Sequence, residues 1–242
     1  MSDAARLARM RFSSKPSGLS YLHFNLSPMH RDEIRSELAN AAGESAFSAA
    51  ATYVEAVGGI KSGTISWSIV RLYYSCYYCL KSIAILNSAV PFNTGKEEML
   101  YNAKDNTFLK GGSSSHHWNW NTLRKVAALK ALWPFSEDSE TAYGELRAHR
   151  EDVNYKHAFP DPQFHSCLSS HTSDLDKRIR EYRDDTAFLY TYLGDHLALA
   201  YPTKMIFNLE QTMVADGVIL DGDKKAHLQS LWKMKDHCPF AG

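Results

Sequence analysis

Neither sign of charge is in surplus in this chain: 27 lysines and arginines face 27 aspartates and glutamates, so the formal net charge is +0 at pH 7. That balance argues against a duplex-binding protein that works through a global positive field, while leaving room for a local basic groove. Cysteine is also scarce, with 4 in 242 residues, which excludes a small disulfide scaffold. No apolar run reaches the ~20 residues that span a bilayer, and the first residues lack the apolar core of a signal peptide. The expectation is a soluble, cytoplasmic protein with no membrane partner. A Walker phosphate loop is missing too. Gly95-Lys96 is followed by Glu97, and Lys110-Gly111-Gly112-Ser113-Ser114 lacks the Gly-Lys-Ser/Thr order that opens a helix after a strand.

What is present is a core-forming composition, 44% hydrophobic and 12% aromatic, which sets the chain apart from disordered adaptors. Apolar residues recur at helical spacing and predict an all-α protein. A first helix is expected over Arg31 to Val57, entered at Ser27-Pro28 and stopped by Gly58-Gly59. Next comes SIVRLYYSCYYCLKSIAIL, led by Trp67 and ending near Asn87. It is apolar on nearly every face, as a helix in the middle of a bundle must be. Loops, with a short helix around Glu97 to Ala103, are expected between Pro91 and Ser115. Further helices are expected from about Asn119 to Leu132, from Ser136 to before Pro160, and from Ser173 to Tyr201-Pro202. The domain reading is an extension over 1–29, a helical domain over 30–202 and an appendage over 203–242. In the extension, Arg6, Arg9, Arg11 and Lys15 read as a frayed soluble tail.

The most informative spacing lies in ELRAHREDVNYKHAF. Arg150 and His157 are seven positions apart, two turns of an α-helix, so the pair is expected on one face about 20° apart. Tyr143, Leu146 and Val153 share that stripe, and Asn154 lies one turn beyond Arg150. A permanent cation and a histidine occupy positions where a purely structural helix wants apolar side chains. Arginine suits a phosphate, and histidine titrates near working pH. The plainer alternative is a surface pair, with Arg150 held by Glu151 or Glu145 and His157 closing the helix before Pro160.

Together, the aromatic helix and RAHREDVNYKH resemble the HEPN superfamily, helical bundles of prokaryotic toxins and antiphage systems. The likeness covers roughly residues 30 to 200. It implies an up-and-down bundle with a long Tyr-rich core helix and extra C-terminal helices. It also implies a metal-independent endoribonuclease, needing no cofactor, in which Arg150, His157 and Asn154 are catalytic at a homodimer interface. RNA is the implied substrate, and the implied partner is a second copy or another protein of a defence complex. Six residues separate the arginine and histidine, at the long end of the family's range. Glu151 stands where active members carry Asn, Asp or His, and Asn154-Tyr155 matches a pattern of inactive relatives. The resemblance therefore also allows a non-enzymatic interaction module that docks a partner protein.

Other features have plainer readings. Cys76-x-x-Cys79 has redox or metal spacing, yet it falls mid-helix with no second pair, so packing is the better account. His116-His117-Trp118-Asn119-Trp120 follows a Gly/Ser loop. Its histidines and Tyr155 are candidates for substrate contact by stacking on bases, with helix-entry packing as the alternative. His165-x-Cys167 and His237-Cys238 lack spaced partners for a metal.

Overall fold

A computed structural model describes residues 2–111, 120–156, 168, 174–235 and 237–241. The side chains of 155 and 156 are outside that description. The chain divides into two compact units. Unit 1 comprises Met1–Ser45 and Leu80–Ser136, and unit 2 comprises Ala46–Cys79 and Glu137–Gly242. Most described residues are helical.

Unit 1 holds α1 (Asp3–Ser13), α2 (Pro28–Ser36), the start of α3 (Leu38–Lys61), the end of α4 (Ile65–Leu86), α5 (Trp120–Leu123) and α6 (Ala127–Lys130). It also holds three strands, β1 (Ala89–Asn93), β2 (Glu98–Asn102) and β3 (Thr107–Lys110), in one antiparallel sheet ordered β1-β2-β3. The sheet corrects the all-α expectation and replaces the helix expected over Glu97 to Ala103. The residues that read as loop punctuation are hairpin turns. Gly95 takes φ +92 and Asn106 φ +56, conformations suited to Gly and Asn. Between the turns, Val90, Phe92, Tyr101 and Phe108 are buried strand residues of high β-propensity. Pro91 is tolerated because β1 is an edge strand, paired with β2 alone among the described residues.

The N-terminal residues form a packed helix, not a frayed tail. Ala4, Ala5, Leu7 and Ala8 of α1 join the same buried cluster as Ile34, Phe92, Met99, Tyr101 and Phe108. Arg11 reaches across to Glu33 at 2.7 Å, and Arg6 pairs with Asp3. The helix expected over Asn119 to Leu132 is broken into α5, α6 and a 3-10 turn at Trp133–Phe135.

Unit 2 holds most of α3 and α4, α7 (Glu137–Glu151), a π-helical turn (Asp152–Lys156), α8 (Leu175–Arg183), α9 (Gly194–Ala215) and α10 (Gly222–Leu231). Helix α4 covers the stretch expected to be helical, and Ile69, Leu72, Tyr73, Cys76, Leu80 and Ile83 along it are buried. Helix α3 starts later than expected, because α2 ends at Ser36, and it runs through Gly58-Gly59 instead of stopping there. Gly59 serves a close approach: a Cβ there would lie 2.4 Å from the Ser68 hydroxyl oxygen. The chain reverses at Gly63, with φ +85.

The long helix expected over Ser173 to Tyr201 is two helices. Between them, the buried Asp185 carboxylate accepts hydrogen bonds from the backbone N–H groups of Leu189 (2.9 Å), Tyr190 (2.8 Å) and Thr191 (3.3 Å). Those bonds hold its acid below the ordinary carboxylate range against the opposing effect of burial. Pro202 does not end α9, which continues to Ala215. One local and one tertiary bond support that stretch: Thr203 donates to the Leu199 carbonyl one turn back (2.7 Å) and shares a hydrogen bond with the buried Tyr53 hydroxyl (2.8 Å). A boundary after residue 202 therefore falls inside a helix, and the 1–29, 30–202 and 203–242 division differs from the two observed units.

One carboxyl in unit 1 sets a pH dependence. Burial lifts Glu98 on β2 to about 7, with the Lys81 charge pulling the other way. Its folded value lies above its ordinary 4.5, so the folded state holds the extra proton across that window and stability falls as pH rises through it. Urea titrations between about pH 4.5 and about pH 7.5 should show this loss in the wild type, and Glu98→Gln should flatten it. An unchanged slope in the variant would assign the dependence to other groups.

Candidate functional site

Helix α7 in unit 2 presents Arg150. Glu137, Asp138 and Glu140 occupy its first turn, and His149 and Arg150 its last, the order that the helix macrodipole favours. Ser139, Ala142, Tyr143, Leu146 and Arg150 are its buried residues, and the line Ser139, Tyr143, Leu146, Arg150 is spaced by four, three and four. Ser139 is tied to the core through the Tyr201 hydroxyl, at 2.7 Å.

Arg150 is 8% exposed. Its guanidinium donates from Nη2 to the Tyr74 hydroxyl at 3.1 Å. The guanidinium carbon lies 5.6 Å from the Tyr73 ring centroid and 5.7 Å from that of Tyr74. The two rings meet nearly edge-on, at 71° and 5.1 Å, and Tyr73 also packs on Tyr143 at 5.2 Å. Burial raises the Tyr73 phenol, opposed by a hydrogen bond with Tyr143 and by the Arg150 charge, and raises Tyr143 further. Both phenols therefore stay protonated near neutral pH. A desolvated cation against aromatic faces gains about 2 kcal/mol or more, and the tyrosines restrict where the guanidinium fork can point. The apolar pattern of the Tyr-rich helix predicts core packing and does not single out Tyr73 and Tyr74 as partners of Arg150. The signal was the Tyr73-Tyr74 pair itself, which puts adjacent rings on two sides of one helix ridge.

Beyond Arg150 the expected geometry changes. Five of the six residues before His157 form the π-helical turn Asp152–Lys156. Its i→i+5 bonding abandons the α-helical phase over residues 152–156. Asn154, read as lying beside Arg150, is exposed, whereas Arg150 is buried. Glu151 pairs with Arg147 at 3.8 Å. His157, His116 and His117 lie outside the described residues, as do His165, Cys167 and the side chain of Tyr155.

The remaining motifs resolve more simply. Cys76 and Cys79 are buried in α4, and burial drives both thiols far up, away from the reactive thiolate. His237 Nε2 lies 3.0 Å from Glu210 Oε1. Among the described residues there is no group of three or more His, Cys, Asp or Glu side chains placed to hold a metal ion. No described helix is long and apolar enough to cross a membrane. The zero net charge conceals a division: unit 1 carries thirteen Lys and Arg against eight Asp and Glu, and unit 2, with Arg150, carries fourteen against nineteen. No known family, curated protein or solved structure matches the chain.

The contrast between the two polar residues is measurable. Arg150→Ala should cost about 2–4 kcal/mol in urea unfolding, through lost ring contacts and the lost hydrogen bond to the Tyr74 hydroxyl. Asn154→Ala should stay within about 0.5 kcal/mol, as exposed positions do. Equal costs at the two sites would remove the special standing of Arg150.

Proposed function

We propose that this chain is a metal-independent endoribonuclease of a prokaryotic antiphage-defence or toxin–antitoxin system, working as a homodimer or with a partner protein. The observation that supports the reading is the Arg150 guanidinium, held at the end of α7 by the Tyr74 hydroxyl and two ring faces. A cation fixed before the reaction stabilises charge as it grows on a phosphate, with little reorganisation at the moment of bond making. A π-turn directly after it also suits a functional position, since such turns are rare and concentrate at sites.

In this reading the RNA 2′-hydroxyl attacks its own phosphate and the bond to the 5′-oxygen breaks. The products are a 2′,3′-cyclic phosphate and a 5′-hydroxyl. His157 takes the hydroxyl proton or returns one to the leaving oxygen. Arg150 neutralises the phosphate oxygens, bidentately where the strand allows. Asn154, exposed on the π-turn, orients the strand, and Tyr155, His116 and His117 are assigned to base contact. No cofactor enters the scheme.

A second reading is a non-enzymatic module that docks a partner protein. The deep burial of Arg150 and the acidic balance of unit 2 favour it, because nucleic-acid contact draws on surplus positive charge.

The two readings separate on single-stranded RNA in the presence of a chelator, with and without the product of the neighbouring gene as a trial partner. The nuclease reading expects cyclic-phosphate ends, loss of cutting in His157→Ala with an unchanged melting temperature, and a loss of about 100-fold or more in Arg150→Lys. Cutting that persists in both variants would overturn it. No cutting, with stoichiometric binding of the partner, would establish the docking module instead.

A further inference from the structure

Unit 2 contains a second feature, remote in sequence from Arg150. A cavity of about 200 Å³ opens between the C-terminal part of α9, the segment that follows it, α10 and Phe240. Met213, Val218, Leu220 and Phe240 give it apolar walls, and Val214 and Ile219, 71% and 74% exposed, are its most open lining residues. The lining also holds two charged residues, and both are engaged inside the protein. Glu210 Oε1 accepts from the Phe240 backbone N–H at 2.7 Å and faces His237 Nε2 at 3.0 Å. Lys225, in α10, has a partner of its own within the chain. Neither charge calls for a counter-charge on a guest, so a guest gains from this cavity through apolar contact.

The Phe240 wall is set deliberately. Its backbone sits at φ +62, an uncommon conformation for a bulky residue. Hydrogen bonds on both sides retain it: the Phe240 N–H donates to Glu210 on α9, and the Ala241 carbonyl accepts from Gln229 Nε2 on α10 at 2.9 Å. Backbone strain of this kind persists only where the surroundings over-determine it, and it clusters at ligand clamps.

A cavity of about 150 Å³ with apolar walls stays dry and takes up benzene, so the volume here admits a substituted ring. Phe240 offers a ring for an offset or edge-on contact, and the Met213 thioether packs well at a ring edge. We propose that the cavity binds a small uncharged aromatic molecule of about the size of toluene. The ring lies between Met213, Val218, Leu220 and Phe240, with Val214 and Ile219 at the entrance. The site is independent of the RNA-cleavage reading and stands whether or not that reading holds.

Titration of the full chain with toluene, followed through its methyl NMR signals, tests this directly. The methyls of Met213, Val218 and Leu220 should shift saturably, with one guest per chain. Benzoate and benzylammonium carry the same ring with a charge of either sign. Each should bind at least about tenfold more weakly than toluene, because the charge would be buried where both wall charges are already engaged. Leu220→Trp fills the cavity and should abolish binding while the protein retains a cooperative melt. Val218→Phe, at a half-buried position, narrows the same space and should weaken toluene at least about tenfold, which keeps the test decisive where the tryptophan variant does not fold. No saturable shift up to the solubility limit of toluene, shifts confined to methyls elsewhere, equal binding of the charged analogues, or full binding by either folded variant would overturn the proposal.

Discussion

A guanidinium kept almost out of water has to be compensated where it sits, and in unit 2 tyrosines supply part of that compensation. Arg150 lies against the rings of Tyr73 and Tyr74 and donates to the Tyr74 hydroxyl. Tyr73 in turn packs on Tyr143 from the same helix as Arg150. The aromatic faces replace part of the lost hydration electrostatically. Arg150 thereby links α4 to α7 and gives the end of α7 a fixed cation. Lysine would not serve equally, since its point charge lacks the planar fork that lies against rings and reaches a phenol together.

The same unit uses polar groups sparingly and satisfies them locally. The Asp185 carboxylate organises the turn between α8 and α9, Tyr53 and Thr203 share a buried hydrogen bond, and Tyr201 meets Ser139. Each leaves the backbone on a course that simple pattern reading does not predict. The continuation of α9 through Pro202 is the clearest case: the local cost of proline is opposed by the burial of Leu197, Leu199, Tyr201, Met205 and Ile206 around it.

Helix α4 was readable because it is apolar on nearly every side, a pattern that few elements other than a buried helix accommodate. The start of α7 was readable from its acidic first turn, and the stripe through Tyr143, Leu146 and Arg150 from its spacing. The sheet was not, because Pro91, Gly95 and Asn106 are the same residues in a hairpin turn, on an edge strand or in an irregular loop. Strand residues Phe92, Tyr101 and Phe108 declare themselves only once α1 covers them. The π-turn left no signature either: Asp152 to Lys156 follow the helical rhythm in sequence, and only the backbone reveals the lost register. Gly58-Gly59 misled in the opposite direction, since a close approach by Ser68 and a helix stop both demand glycine.

The account rests on Arg150 and Tyr74 acting as a unit, and a double-mutant cycle on their stability contributions tests it most directly. Tyr74→Phe and Arg150→Lys, alone and combined, should show a coupling of about 1 kcal/mol or more, as residues in one hydrogen-bonded contact do. Strict additivity, within about 0.3 kcal/mol, would mean that the tyrosine does not hold the guanidinium, and the pre-set cation would no longer exist.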